Sequence, residues 1–75
     1  MDFLEKAGIR IHHWIHHNES HLKEYETFAD ELEAAGQHTA AEQIRKMAAL
    51  TTEGSQYLRN ASRTLGVPEQ EDSHV

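Results

Sequence analysis

Five of the chain's seven histidines fall within ten residues: His12-His13-Trp14-Ile15-His16-His17-Asn18-Glu19-Ser20-His21. If this segment is helical, His13, His17 and His21 follow one another at four-residue intervals, and Glu24 comes three residues after His21. Side chains three or four apart rise from one face of a helix, so His17, His21 and Glu24 share an edge. Imidazole nitrogens together with a carboxylate suit zinc most readily, and also nickel, copper or iron. One helix supplies at most three ligands in this pattern, so a fourth must come from elsewhere. Glu53 is the expected donor, with His13 assisting the cluster. The expected metal ligands are thus His17, His21, Glu24, Glu53 and His13.

Known metal motifs are not matched. Asn18 follows His17 where the helical zinc-protease pattern requires Glu. The order His21-Leu22-Lys23-Glu24 reverses the Glu-x-x-His of carboxylate di-iron bundles. There is no cysteine, which excludes thiolate ligands and disulfides. A glycine-rich phosphate loop, a nucleophile elbow and a paired-acid cleft are also missing from the sequence, and catalysis is not expected. The same histidines have plainer uses. His12, His13 and His16 read as solvated surface, and His21 as a hydrogen-bonded interface residue. Clustered imidazoles would also gain charge together below roughly pH 6.5 and could sense pH.

The elements that must carry these residues are two helices. Asp2, with Glu5 three residues on, forms a capping box. Leu4, Ile11, Tyr25 and Leu32 then alternate with Ala7, Trp14, Phe28 and Ala35 at heptad spacing, and Ile15, Leu22 and Ala29 widen the stripe. These residues predict a helix over 2–35, ended by Gly36 in a left-handed cap. Thr39 with Glu42 predicts a second helix over 39–65, striped by Ala40, Ile44, Met47, Thr51, Gly54, Leu58, Ala61 and Leu65. Gly66-Val67-Pro68 stops it, and residues 67–75 read as a disordered acidic tail. The short connection makes the helices antiparallel. Phe28 then sits level with Met47, His21 with Gly54, and Trp14 with Ala61. Asn18, at a core position, reads as a device that fixes register.

Seventy-five residues make one domain, here an all-α antiparallel two-helix hairpin over 1–66. A hairpin cannot surround its own apolar residues. Leu50 and Tyr57 share a flank of the second helix, and the first helix has more apolar arc than one neighbour covers. Dimerisation into a four-helix bundle is therefore expected. Charge is uneven: residues 2–35 hold eight acids and three bases, residues 39–65 two acids and four bases. The net charge of −6 argues against nucleic acid and anionic membranes as partners. No apolar run reaches the roughly 20 residues of a membrane span, and no signal peptide is evident, so a cytoplasmic location is expected. The functional expectation is a small metal-binding helical protein for storage, sensing or delivery of a divalent transition ion. The alternative is a metal-free interaction or adaptor module, with a protein partner and a structural or pH-sensitive histidine cluster.

Overall fold

A computed structural model of the chain describes residues 2–66. It consists of two α-helices, α1 (Phe3–Ala34) and α2 (His38–Leu65), packed against each other as a hairpin. The molecule measures 51 × 23 × 15 Å. Its least dimension barely exceeds the 10–12 Å diameter of one helix, so both helices keep a broad solvent-facing side. No helix among the described residues is long and apolar enough to cross a membrane. The expectation for 67–75 falls outside the described residues.

Local sequence explains each helix end. The Asp2 carboxylate accepts from the Glu5 N–H at 2.9 Å, and Glu5 accepts in return from the Asp2 N–H, the reciprocal capping box. At the other end Gly36 has φ +82°, the left-handed conformation that a Cβ would oppose. Its N–H reaches Glu33 O at 3.0 Å and the Gln37 N–H reaches Leu32 O at 2.9 Å, the Schellman arrangement. Gly66, φ +75°, closes α2 in the same hand. The start of α2 differs from expectation. Gln37 stands at the cap position without a side-chain cap bond, and the helix begins at His38. The Schellman turn already delivers the backbone into helix there, so Thr39 is inside the first turn and does not cap it.

The seam between the helices is rotated by about one residue from the expected stripes. On α2 the buried residues are Ala41, Ala48, Ser55 and Ser62, an uninterrupted heptad series of small side chains. Ile44, Thr51 and Leu58 alternate with them, half-buried. On α1 the buried residues include Gly8, Ile11, Ile15 and Ala29, with Asn18, Leu22, Tyr25 and Leu32 half-buried between them. Ala40, Met47, Gly54 and Ala61 therefore flank the seam and do not fill it. The physical reason is size: small side chains let the two backbones approach closely enough for the aliphatic residues of α1 to fill the space between them. The large residues of the expected stripe are pushed outward, Trp14 to 47% and Phe28 to 49% exposure.

One polar layer crosses the seam, where Asn18 Nδ2 donates to Ser55 Oγ at 3.2 Å. A half-buried amide needs this partner, and a shift of register would take it away. On the side of the seam that carries Glu19 and Glu33, ion pairs tie the helices. Arg59 binds Glu19 at 2.7 Å, and Arg45 binds Asp30 at 3.0 Å and Glu33 at 2.9 Å. His38 also bonds Glu33. The Arg45 hydrogen bond, followed by that of His38, holds the Glu33 carboxyl below its ordinary pKa, and the pairing raises that of Arg45. These groups are exposed, so each pair adds little stability; together they reinforce the register set by Asn18.

Candidate metal centre

The histidines lie on an uninterrupted part of α1, so their relative placement is set by the helix alone. His13 and His17 are one turn apart with ring centroids at 6.1 Å and near-parallel planes. His17 and His21 follow at 4.4 Å, edge to face. His21 in turn stacks on Tyr25 at 5.8 Å, 10° from parallel. The result is a ladder of four rings. Its last ring, Tyr25, belongs to the helix–helix seam, so the outer imidazoles are braced from the core.

Within the ladder, Nε2 of His21 lies 2.9 Å from Nε2 of His17, and Nδ1 of His21 lies 2.9 Å from Oε1 of Glu24. The carboxylate can only accept, so His21 carries its proton on Nδ1 and turns the Nε2 lone pair toward His17 when neutral. His17 then donates from its own Nε2. For a metal ion to take the place of that proton, His17 moves its proton from Nε2 to Nδ1, which frees both Nε2 lone pairs and leaves the two rings close to where an ion would hold them. Two nitrogens bound tetrahedrally at roughly 2.0–2.1 Å from zinc stand about 3.3 Å apart. Opening the pair by a few tenths of an ångström is within the reach of a side chain that is 40% exposed, as His21 is.

The expected ligand set is only partly brought together. His17 and His21 converge. Glu24 does reach His21, but at Nδ1, the ring nitrogen away from His17, so it orients and polarises the imidazole and cannot share an ion bound at Nε2. His13 stacks on His17 one turn further out. Glu53 is exposed on α2, bordering a shallow groove with Lys46, Ala49 and Leu50. Among the described residues, no group of three or more His, Asp or Glu side chains is arranged to hold one ion.

His12 departs from the surface role read in sequence. It is only 7% exposed and is engaged with its surroundings. It follows the core residue Ile11 by one position, on the flank where the ion pairs tie the helices. His16 behaves nearer to expectation, half-exposed beside Glu19 at 3.5 Å.

The other flank of the seam is different in character. Trp14, His21 and Phe28 each precede a seam residue of α1 by one position, and Met47, Gly54 and Ala61 precede seam residues of α2. By heptad geometry they share the face opposite the ion pairs. Leu50, 66% exposed, and Tyr57, 74% exposed, extend it outward. A Cβ added at Gly54 would meet nothing within 4 Å. The imidazole of His21 thus stands midway along a mostly apolar face, between Trp14 and Phe28 and level with Gly54.

Comparison with curated proteins and with solved structures finds no match. A protein family described as Domain of unknown function (DUF8180) matches residues 7–65, which spans both helices, the histidine ladder and the apolar face. The chain belongs to the DUF8180 family.

Proposed function

We propose that this protein binds a divalent transition-metal ion, zinc foremost, through Nε2 of His17 and His21, and serves in storage, sensing or delivery of that ion. The observation that carries the reading is the 2.9 Å approach of the two Nε2 atoms, with Glu24 fixing the tautomer of His21 from the far side of its ring. A carboxylate–imidazole pair of this kind is the usual support of a metal-binding histidine. The cytoplasmic setting expected from the sequence goes with this reading, and catalysis forms no part of it.

The functional unit in this reading is a homodimer in which two hairpins bury the face of Trp14, Phe28, Met47 and Tyr57 as a four-helix bundle. The support is the segregation of the molecule into a charged flank and an apolar one. Native mass spectrometry of untagged protein tests both parts. A dimer that takes up zinc, and loses it when His21 becomes alanine, is the expected result. A protein that takes up no zinc, nickel or copper would remove the reading.

One observation favours a second reading. The chain Glu24–His21–His17 is a complete hydrogen-bond relay without any ion, as a metal-free interaction module would need. Such a module would fold and assemble identically in chelator and in zinc.

A further inference from the structure

We propose that each metal site is completed by a second copy of the chain, with Glu53 of that copy supplying the carboxylate that His17 and His21 lack; this rests on the metal-binding reading above. A hairpin offers two imidazoles that converge and no third ligand among its described residues, yet it carries an exposed carboxylate on the other helix. Where that carboxylate lies along the hairpin follows from the bonds across the seam. Asn18 meets Ser55, Glu19 meets Arg59, and Arg45 meets Asp30 and Glu33. Interpolating between these, Glu53 stands at the height of Leu22 and Lys23, between His21 and Glu24. Height along the rod is therefore right, and only the lateral position within one copy is wrong.

A second copy corrects the lateral position if the two-fold axis runs parallel to the helices through the apolar face. Rotation about such an axis keeps every residue at its own height. It lays α1 of one hairpin beside α2 of the other, so that Leu50, Glu53 and Tyr57 of the second copy come alongside His17, His21 and Glu24. Charge selects this arrangement over the one in which like helices meet. Residues 2–34 carry net −5 (three bases, eight acids), and residues 39–65 carry net +2 (four bases, two acids). Placing α1 against the second copy's α2 alternates the sign around the bundle, whereas placing α1 on α1 sets two acidic helices together. Gly54, with open space where a side chain would stand, leaves room for the imidazole of His21 at the middle of the interface.

Two equivalent sites result, each with two imidazoles from one copy and one carboxylate from the other. Two His and one Glu leave the fourth position of a tetrahedral ion to water, an open site suited to exchange rather than permanent bracing. Burying Glu53 near an apolar face is then compensated by the ion.

Subunit complementation tests this. Full-length H17A/H21A and E53Q chains are prepared separately, then equilibrated together, and zinc retention is read by native mass spectrometry, which separates homodimers from heterodimer by mass. Wild type should hold two ions per dimer. The H17A/H21A dimer should hold none, and the E53Q dimer should bind about 10–100-fold more weakly, the loss that removal of even an outer-shell partner causes. The heterodimer should regain one tightly held ion, because one of its two sites is intact. If the double variant does not fold, H17A takes its place. A wild-type monomer that binds zinc, an E53Q dimer as tight as wild type, or a heterodimer without an ion would overturn the shared site and leave the His17–His21 reading standing. A wild type that binds no zinc would overturn both.

Discussion

Replacing Glu24 by glutamine separates the two roles that a carboxylate three residues from His21 could have. As a ligand, its loss should abolish binding as thoroughly as loss of a histidine. As the residue that holds the Nδ1 proton of His21, 2.9 Å away, it should have a smaller and definite effect. Glutamine can keep the hydrogen bond through its Oε1 but not the charge. Outer-shell partners of metal-bound histidines contribute about 10–100-fold in affinity, which converts to roughly 1.4–2.8 kcal/mol at 1.4 kcal/mol per decade. Folding should hardly change: the side chain of Glu24 is 69% exposed, and a pair of this spacing on a helix surface contributes about 0.2–0.5 kcal/mol. Competition against a zinc-chelating dye measures the affinity, and urea unfolding without metal measures stability. An E24Q affinity equal to wild type would refute the orienting role. A loss as complete as that of H21A would put the carboxylate on the ion itself and contradict the placement of Glu24 behind the ring.

The fold makes further predictions. Ala48→Leu places a large side chain in the small-residue seam, where Ala48 is 6% exposed, and should destabilise by about 1–3 kcal/mol in urea unfolding. Gly36→Ala puts a Cβ on a residue at φ +82° and should cost about 1–2 kcal/mol by the same assay. For Glu33 the folded-state pKa is depressed by Arg45 and then His38. Its contribution is therefore present above its ordinary pKa and lost as pH falls through the lower folded value. Urea midpoints of wild type and E33Q should differ near neutral pH and converge under acid, and a difference that persists unchanged at low pH would contradict the pairing.

The two helices, their antiparallel order and both glycine caps could be read from the sequence because each rests on local chemistry: a capping box at Asp2 and Glu5, and left-handed glycines at Gly36 and Gly66. The exact seam is not legible in the sequence, because apolar size does not mark burial here. In an isolated pair of helices, close approach favours Ala48 and Ser55 over Met47 and Gly54, and leaves Trp14 and Phe28 outside. That same rotation puts His12 inside beside Ile11, with 7% exposure. The pairing of His17 with His21 was legible, since helical spacing alone determines it. The side of His21 that Glu24 occupies was not, because it depends on rotamers. The lateral distance of Glu53 from the histidines was hidden for a related reason: heptad arithmetic gives height along a helix pair more securely than rotation about each axis.

The claim on which the functional account depends is that the two Nε2 atoms can hold a metal ion between them once His17 moves its proton to Nδ1. Nitrogen-15 NMR of the imidazole rings during a zinc titration observes those atoms directly. The account predicts that the Nε2 signals of His17 and His21 shift together and saturate at one ion per chain, while Nδ1 of His21 keeps its proton and the rings of His12 and His16 stay unmoved. Unchanged Nε2 signals at His17 and His21 in excess zinc would contradict it.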